Sequence, residues 1–240
     1  TLSSSSAASD VYKRQIFSYN DYINARDMMG EDIFSANYQQ VPIDLKGVLY
    51  TNLLEYEELP KIKAIENYTD TADTGSDFLC SINYAVGVDD KAYILDVVYT
   101  KESMEITEKK VAEMINKDNV NWVRIESNNG GRGFSRNVEK LCRELGNKHS
   151  IFKPFHQSNN KNSRILTGST GVMQSVYFPK GWKQLYREFY NDVTTYQREG
   201  KNLHDDSVDA LTGVYETLSK RYSAKKNLSG LRLFSSYNLK

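Results

Sequence analysis

The stretch Asn67-Tyr68-Thr69-Asp70-Thr71-Ala72-Asp73-Thr74-Gly75-Ser76-Asp77 constrains the fold more than any other part of the chain. An apolar run, Ile62 to Tyr68, precedes it, and a longer one, Phe78 to Val88, follows it. The segment therefore reads as strand, polar turn, strand, with Asp70 closing the first strand and Asp77 opening the second. An acid at a strand end rides on rigid backbone, which is where a metal ligand has to sit. Taken alone, Asp70 reads more readily as a solvated turn residue than as a ligand. The metal reading needs two later acid groups to converge on it, Glu126 and the cluster Asp205-Asp206-Ser207-Val208-Asp209.

With 39% apolar and 12% aromatic residues, a chain of 240 residues can bury one sizeable core. Its 31 basic and 31 acidic residues cancel, so any nucleic-acid surface must be local. No run of about 18 apolar residues occurs, so no membrane span is expected. Cys80 and Cys142 sit inside apolar patterns and are expected as reduced core residues. Two cysteines and three histidines argue against a Cys/His zinc site.

Taken in order, residues 1–15 are Ser-rich without the apolar region of a signal peptide. Asp10-Val11-Tyr12-Lys13-Arg14-Gln15 looks like the translation of a transposon mosaic-end adapter, so this segment is expected to be non-native. Residues 16–60 are expected to form the end of a preceding domain and a linker, with a weakly amphipathic helix stopped before Pro42. The main domain is expected over 61–223. There, Ile62–Asp70, Phe78–Val88 and Ala92–Tyr99 read as a three-stranded meander with a hairpin at Asp89-Asp90-Lys91. A helix over Met104–Lys117 and a strand over Trp122–Ile125 ending in Glu126 follow. Gly130-Gly131-Arg132-Gly133 leads into a helix whose apolar face is Phe134, Val138, Leu141, Cys142 and Leu145. Ile151–Phe155 reads as a strand and 156–162 as a polar loop. The last third reads as helical, with one helix over Trp182–Tyr196 and a final one carrying Val208, Leu211, Tyr215 and Leu218. From residue 224 a basic, flexible tail is expected. The class is α/β with a mixed sheet.

Asp70 and Glu126 both end strands and can share one sheet edge if those strands are neighbours. Asp205 suits an N-cap, and acids there are favoured by the helix dipole. Asp206 and Asp209 are three apart and share a helix face. Carboxylates gathered in this way repel one another unless cations neutralise them, and oxygen-only ligands suit Mg²⁺ or Mn²⁺. Two such ions about 3.5–4 Å apart serve in-line phosphodiester hydrolysis. The basic residues Arg132, Lys153, Lys161 and Arg164 are candidates for phosphate contacts, or else solvated loop residues. His204 beside the acids is either a surface histidine or one that orients a water or a phosphate.

The chain resembles the C-terminal part of tailed-phage terminase large subunits. Met29-Gly30-Glu31…Phe34-Ser35-Ala36-Asn37-Tyr38-Gln39-Gln40-Val41-Pro42 resembles the stretch closing that family's ATPase domain. Asp70 to Asp77 resembles its first nuclease motif, commonly Asp-Pro-Ala-Gly-Gly-Gly-Asp. Ile125-Glu126-Ser127-Asn128 and His204 to Leu211 resemble the second and third acid motifs. Thr71 stands where proline is usual, and no Gly-x-x-x-x-Gly-Lys-Ser/Thr phosphate loop occurs. The motor half is therefore expected to be absent.

The resemblance implies a ribonuclease-H-like mixed sheet with flanking helices and a Mg²⁺- or Mn²⁺-dependent endonuclease acting on concatemeric double-stranded DNA. It implies ligands at Asp70, Glu126 and the Asp206/Asp209 pair, with Asp77 accessory and Asp205 a further candidate. It also implies the small terminase subunit and the portal of the procapsid as partners, in the host cytoplasm. Alternatives are a Holliday-junction resolvase or transposase-like nuclease of the same fold, or a non-catalytic DNA-gripping or portal-docking module.

Overall fold

The computed structural model describes residues 47–71, 77–128 and 130–235, with side chains through residue 221. The adapter-like segment, the helix and motif before residue 47, and the turn at 72–76 lie outside those residues. In chain order the elements are β1 (Leu54–Tyr56), β2 (Ile62–Asp70), β3 (Leu79–Gly87), β4 (Ala92–Thr100), α1 (Met104–Lys117), β5 (Trp122–Ile125) and α2 (Gly131–Glu144). They continue with β6 (Ile151–Phe152), α3 (Lys161–Ser175), β7 (Val176–Pro179), α4 (Trp182–Leu185), α5 (Arg187–Thr195) and α6 (Asp206–Ser235).

The strands form one mixed sheet in the order β1-β7-β4-β3-β2-β5-β6. The expected meander is its centre: β3 runs antiparallel to both β2 and β4, while β5 lies parallel to β2. Every residue of β3 is buried, as a strand covered on both faces requires. The hairpin at 89–91 turns through Asp90 at φ 62. One face of the sheet is covered by α1 and α2, which bring Val111, Ile115, Phe134, Val138 and Cys142 onto Leu79, Val123 and Ile125. The other face packs Tyr68, Ile82, Tyr84, Ile94 and Phe178 under α5 and α6. Both cysteines are free and buried. No helix among the described residues is long and apolar enough to cross a membrane.

The last third departs from its expected form in three ways. Residues 161–175 are a helix, although the polar loop was expected to run through Asn162; Asn160 caps it, accepting from the Ser163 N–H at 3.0 Å. Its glycines allow a close approach to α6, since a Cβ on Gly171 would lie 2.0 Å from the Tyr215 ring. Val176–Pro179 then forms a strand between β4 and β1, and the expected helix over 182–196 breaks at Tyr186. The domain also begins earlier than residue 61: Leu49 and Tyr50 are buried in the core and β1 joins the sheet. At the other end α6 continues to Ser235, past the expected start of a flexible tail at 224.

The middle of α6 is held by a charged cluster. Glu66 is wholly buried and receives Arg124 Nη1 at 2.9 Å, the Tyr84 hydroxyl at 3.0 Å and the guanidinium of Arg221. This fixes the rotation of the helix whose first turn carries Asp206 and Asp209.

Candidate active site

Parallel pairing of β2 with β5 sets Thr69 opposite Ile125, so Asp70 and Glu126, the next residues on each chain, reach the same lip of the sheet. The Glu126 N–H donates to the Thr69 carbonyl at 2.9 Å, which fixes that register. The first turn of α6 lies over the same lip, with the Asp209 N–H donating to the Asp205 carbonyl at 2.9 Å. One carboxylate oxygen from each of Asp70, Glu126 and Asp209 lies within 4.8 Å of the others. All three residues are buried. They line a cleft of about 280 Å³, together with Asp77, Asp206, Asn128 and Gln157.

Asp206 is committed elsewhere: its Oδ2 accepts the Phe78 N–H at 3.1 Å and its Oδ1 accepts Lys161 at 3.0 Å. Asp205 is farther out, paired with Lys161 at 2.8 Å. The face shared by Asp206 and Asp209 turns into the protein rather than to solvent, because α6 is buried throughout residues 206–214.

Two cations enter this acid group from α3. Lys161, its first residue, places Nζ 2.8 Å from Asp205, 3.0 Å from Asp206, 3.6 Å from Asp70 and 3.8 Å from Asp209. Arg164, one turn later, donates to Asp209 Oδ1 at 2.8 Å and to Glu216 through its other edge at 2.9 and 3.3 Å. Burial pushes the Asp70 carboxyl well up; Lys161 opposes that shift, and Asp209, Glu126 and Asp206 add to it. Burial and Asp209 raise Glu126. Asp209 is pushed up to about 6, because burial exceeds the opposing pull of Arg164 and Lys161. Burial alone would lower the Lys161 ammonium, but Asp70, Asp206 and Asp209 together hold it above its ordinary value, hence charged. Carboxylates outnumber the cations here, so the cations stay ionised while the acids resist ionising.

The phosphate-contact expectation divides. Arg132 and Lys153 are exposed, Lys153 lying 4.4 Å over the Trp122 ring. Arg164 is 5% exposed and spent on Asp209 and Glu216, which removes it from the surface a phosphate would meet. Lys161 is half-buried with its ammonium turned into the acids. Physically, a cation so near this much negative charge is captured by it.

Asn128 carries a role that the sequence marked only as part of a motif. Its Nδ2 donates to Glu126 Oε1 at 2.5 Å and to the Gln157 carbonyl at 2.9 Å, while its Oδ1 accepts the Gln157 N–H at 3.3 Å. Asn128 thus aims Glu126 and joins it to the loop before Lys161. Gly131 is required by contact: a Cβ there would stand 2.0 Å from the Glu126 carbonyl oxygen. The Gly-rich loop therefore serves the approach of a neighbouring backbone.

Asp70 Oδ2 and Glu126 Oε2 are buried without a hydrogen-bond partner among the described residues. Buried oxygens left unpaired are costly, and a divalent cation is the partner that an all-carboxylate donor set fits.

A terminase RNase H-like domain family model matches residues 67–218. No curated protein matches the sequence. Among solved structures, the chain is similar to the nuclease domain of the large terminase subunit gp2 of bacterial virus Sf6, at 12% identity and a TM-score of 0.47, over 65% of this chain and 89% of that one. It is also similar to Thermus thermophilus RuvC, at 14% identity and a TM-score of 0.37, over 65% and 96% of the two chains. The family match spans more than half of the sequence and includes every acid of the cleft, so this chain belongs to the terminase RNase H-like domain family.

Proposed function

We propose that the domain is a metal-dependent endodeoxyribonuclease of a phage terminase large subunit, cutting concatemeric double-stranded DNA during genome packaging. The observation that carries this reading is the meeting of Asp70, Glu126 and Asp209, from elements far apart in sequence, with two of their buried oxygens lacking a hydrogen-bond partner among the described residues. Those three carboxylates would hold Mg²⁺ or Mn²⁺, with Asp77 at the cleft as an accessory acid. When bound, such ions lower the pKa of a water and offset charge on the phosphate. Asn128 keeps Glu126 aimed at the cleft, and Arg164 does the same for Asp209. Lys161 balances the acids' charge, and Arg132 and Lys153 are placed to meet backbone phosphates. The small terminase subunit and the portal are the proposed partners, in the host cytoplasm.

Plasmid nicking with Mn²⁺ tests the reading. The wild type should cut, and Asp70→Ala and Asp209→Asn should reduce cutting by at least about 100-fold, as loss of a principal charge-stabilising group does. Binding of plasmid with no cutting by the wild type would favour a DNA-gripping module. Equal cutting by all three proteins would place the activity elsewhere.

A further inference from the structure

The segment joining α5 to α6 carries an apolar side chain that the fold holds out in water. Leu203 is 89% exposed, while the next most exposed large apolar side chain among the described residues, Leu185, is 61% exposed. Single exposed leucines are common. This one differs because both of its neighbours are fixed. On one side the Gln197 N–H donates to Asn202 Oδ1 at 2.7 Å and Asn202 Nδ2 returns a bond to the Gln197 carbonyl at 2.9 Å, closing residues 197–202 into a loop. That loop is anchored from below, by the Leu49 N–H to the Tyr196 carbonyl at 2.7 Å and the Arg198 N–H to the Gly47 carbonyl at 3.0 Å. On the other side the His204 ring meets the Phe78 ring edge-on at 4.8 Å, and Phe78 in turn stacks on Tyr99 at 4.2 Å. The backbone that carries Leu203 is thus held on both sides.

Position and charge indicate what it meets. Leu203 stands two residues before Asp205, which shares Lys161 with the cleft acids, so its Cα is within about 7 Å of that of Asp205. Lys101 lies 4.5 Å from the Phe78 ring centre and 3.5 Å from His204 Nε2. Lys201 is exposed on the loop beside it, with Arg198 half-buried and Glu199 the opposing charge. An apolar side chain held out among exposed cations, at the lip of the cleft read as phosphodiester-cutting, matches duplex DNA. Side chains of this kind enter a base step from the minor groove and unstack it, while lysines hold the flanking phosphates.

We infer that Leu203 is a wedge that opens a base step of the duplex next to the cleft, with Lys101 and Lys201 on the flanking phosphates. The inference rests on the nuclease reading and adds how the duplex is gripped and deformed. A local opening would bring a strand's phosphate down to acids that lie below the surface.

The experiment uses the full chain in the Asp70→Asn background, which binds without cutting, with a duplex carrying 2-aminopurine. Binding of the parent should raise 2-aminopurine fluorescence. Leu203→Ser should abolish that rise and weaken binding about fivefold to tenfold with an unchanged salt slope, whereas Leu203→Phe should keep the rise. Lys201→Ala should keep the rise but reduce the salt slope by about one. The melting temperature of Leu203→Ser should equal the parent's, because the side chain packs on nothing. A rise that survives Leu203→Ser, or that the parent never shows, overturns the wedge. If the wild type still cuts plasmid in that case, the nuclease reading stands. A wild type that neither binds nor cuts ends both.

Discussion

Arg164 Nη1 lies 2.8 Å from Asp209 Oδ1, in an ion pair whose two side chains are only 5% and 6% exposed. The same guanidinium spans two further turns of α6 to Glu216. Truncating one member of a buried pair strands the other's charge, at a cost of about 3–5 kcal/mol. Arg164→Met should therefore lower the urea midpoint by an amount equivalent to that figure, and should also impair cutting. Arg164→Lys should recover less than half of the stability, since an ammonium cannot present two donor edges at once. A midpoint within experimental error of the wild type would show that Asp209 does not depend on this partner.

Acid titration supplies a second prediction. The Asp209 carboxyl sits at about 6 in the folded chain, against an ordinary value of 3.8, and Asp70 and Glu126 are displaced in the same direction. The folded state therefore binds these protons more tightly than the unfolded one. It gains stability at low pH and loses it as pH rises from about 4 through 6. In EDTA, urea melts should show this decline, and Asp209→Asn should flatten it by about 3 kcal/mol or less. Stabilisation by Mn²⁺ should grow across the same window. Stability that instead rises with pH between 4 and 6 in EDTA, unchanged in Asp209→Asn, would contradict the burial argument.

Lys161 would compete with a divalent cation for the same oxygens. Its ammonium is about 4 Å or less from four carboxylates. A unit charge at that range is worth about 4 kcal/mol at an effective dielectric near 20. Lys161→Met should lower the melting temperature in EDTA at neutral pH and tighten Mn²⁺ binding at least about tenfold by calorimetry. Weaker binding in the variant would mean that the lysine organises the acids rather than contending for them.

Two glycines of the same helix turn should answer oppositely to alanine. Gly131→Ala drives a Cβ to 2.0 Å from the Glu126 carbonyl oxygen. It should cost about 1–3 kcal/mol and cut activity more than tenfold, because the peptide that must give way carries the acid. Gly133→Ala meets nothing within 4 Å and should be neutral or up to about 1 kcal/mol stabilising. Circular-dichroism melts and the nicking assay on both variants check the pair.

The centre of the sheet and two of the three clustered acids were legible in the sequence because they follow from short-range pattern. Alternating and continuous apolar runs mark β2, β3 and β4, and an acid directly after such a run must stand at the sheet's lip. What stayed hidden depended on tertiary contact. Gly168 and Gly171 lower helix propensity across α3, yet α6 packs so closely there that a side chain would not fit. The four residues of β7 are too few for a periodicity to show, and only their pairing between β4 and β1 identifies them. The choice among Asp205, Asp206 and Asp209 was open because three acids on one turn differ only in what surrounds them. In the fold, Asp206 is drawn aside by the Phe78 N–H, and Asp209 is the one grouped with Asp70 and Glu126. Lys161 and Arg164 looked like surface cations for the corresponding reason: nothing local announces that α3 turns them inward.

The order in which the clustered acids occur along the polypeptide has its own consequence. Asp70 and Glu126 come with the second and fifth strands in chain order, but Asp209 arrives on α6, the last element among the described residues. A nascent or clipped chain that ends before residue 205 can pair its strands and still lack one of the three oxygens. If the domain cuts as proposed, that competence comes only once α6 has been made and packed, so a half-made molecule would pose no hazard to the DNA around it.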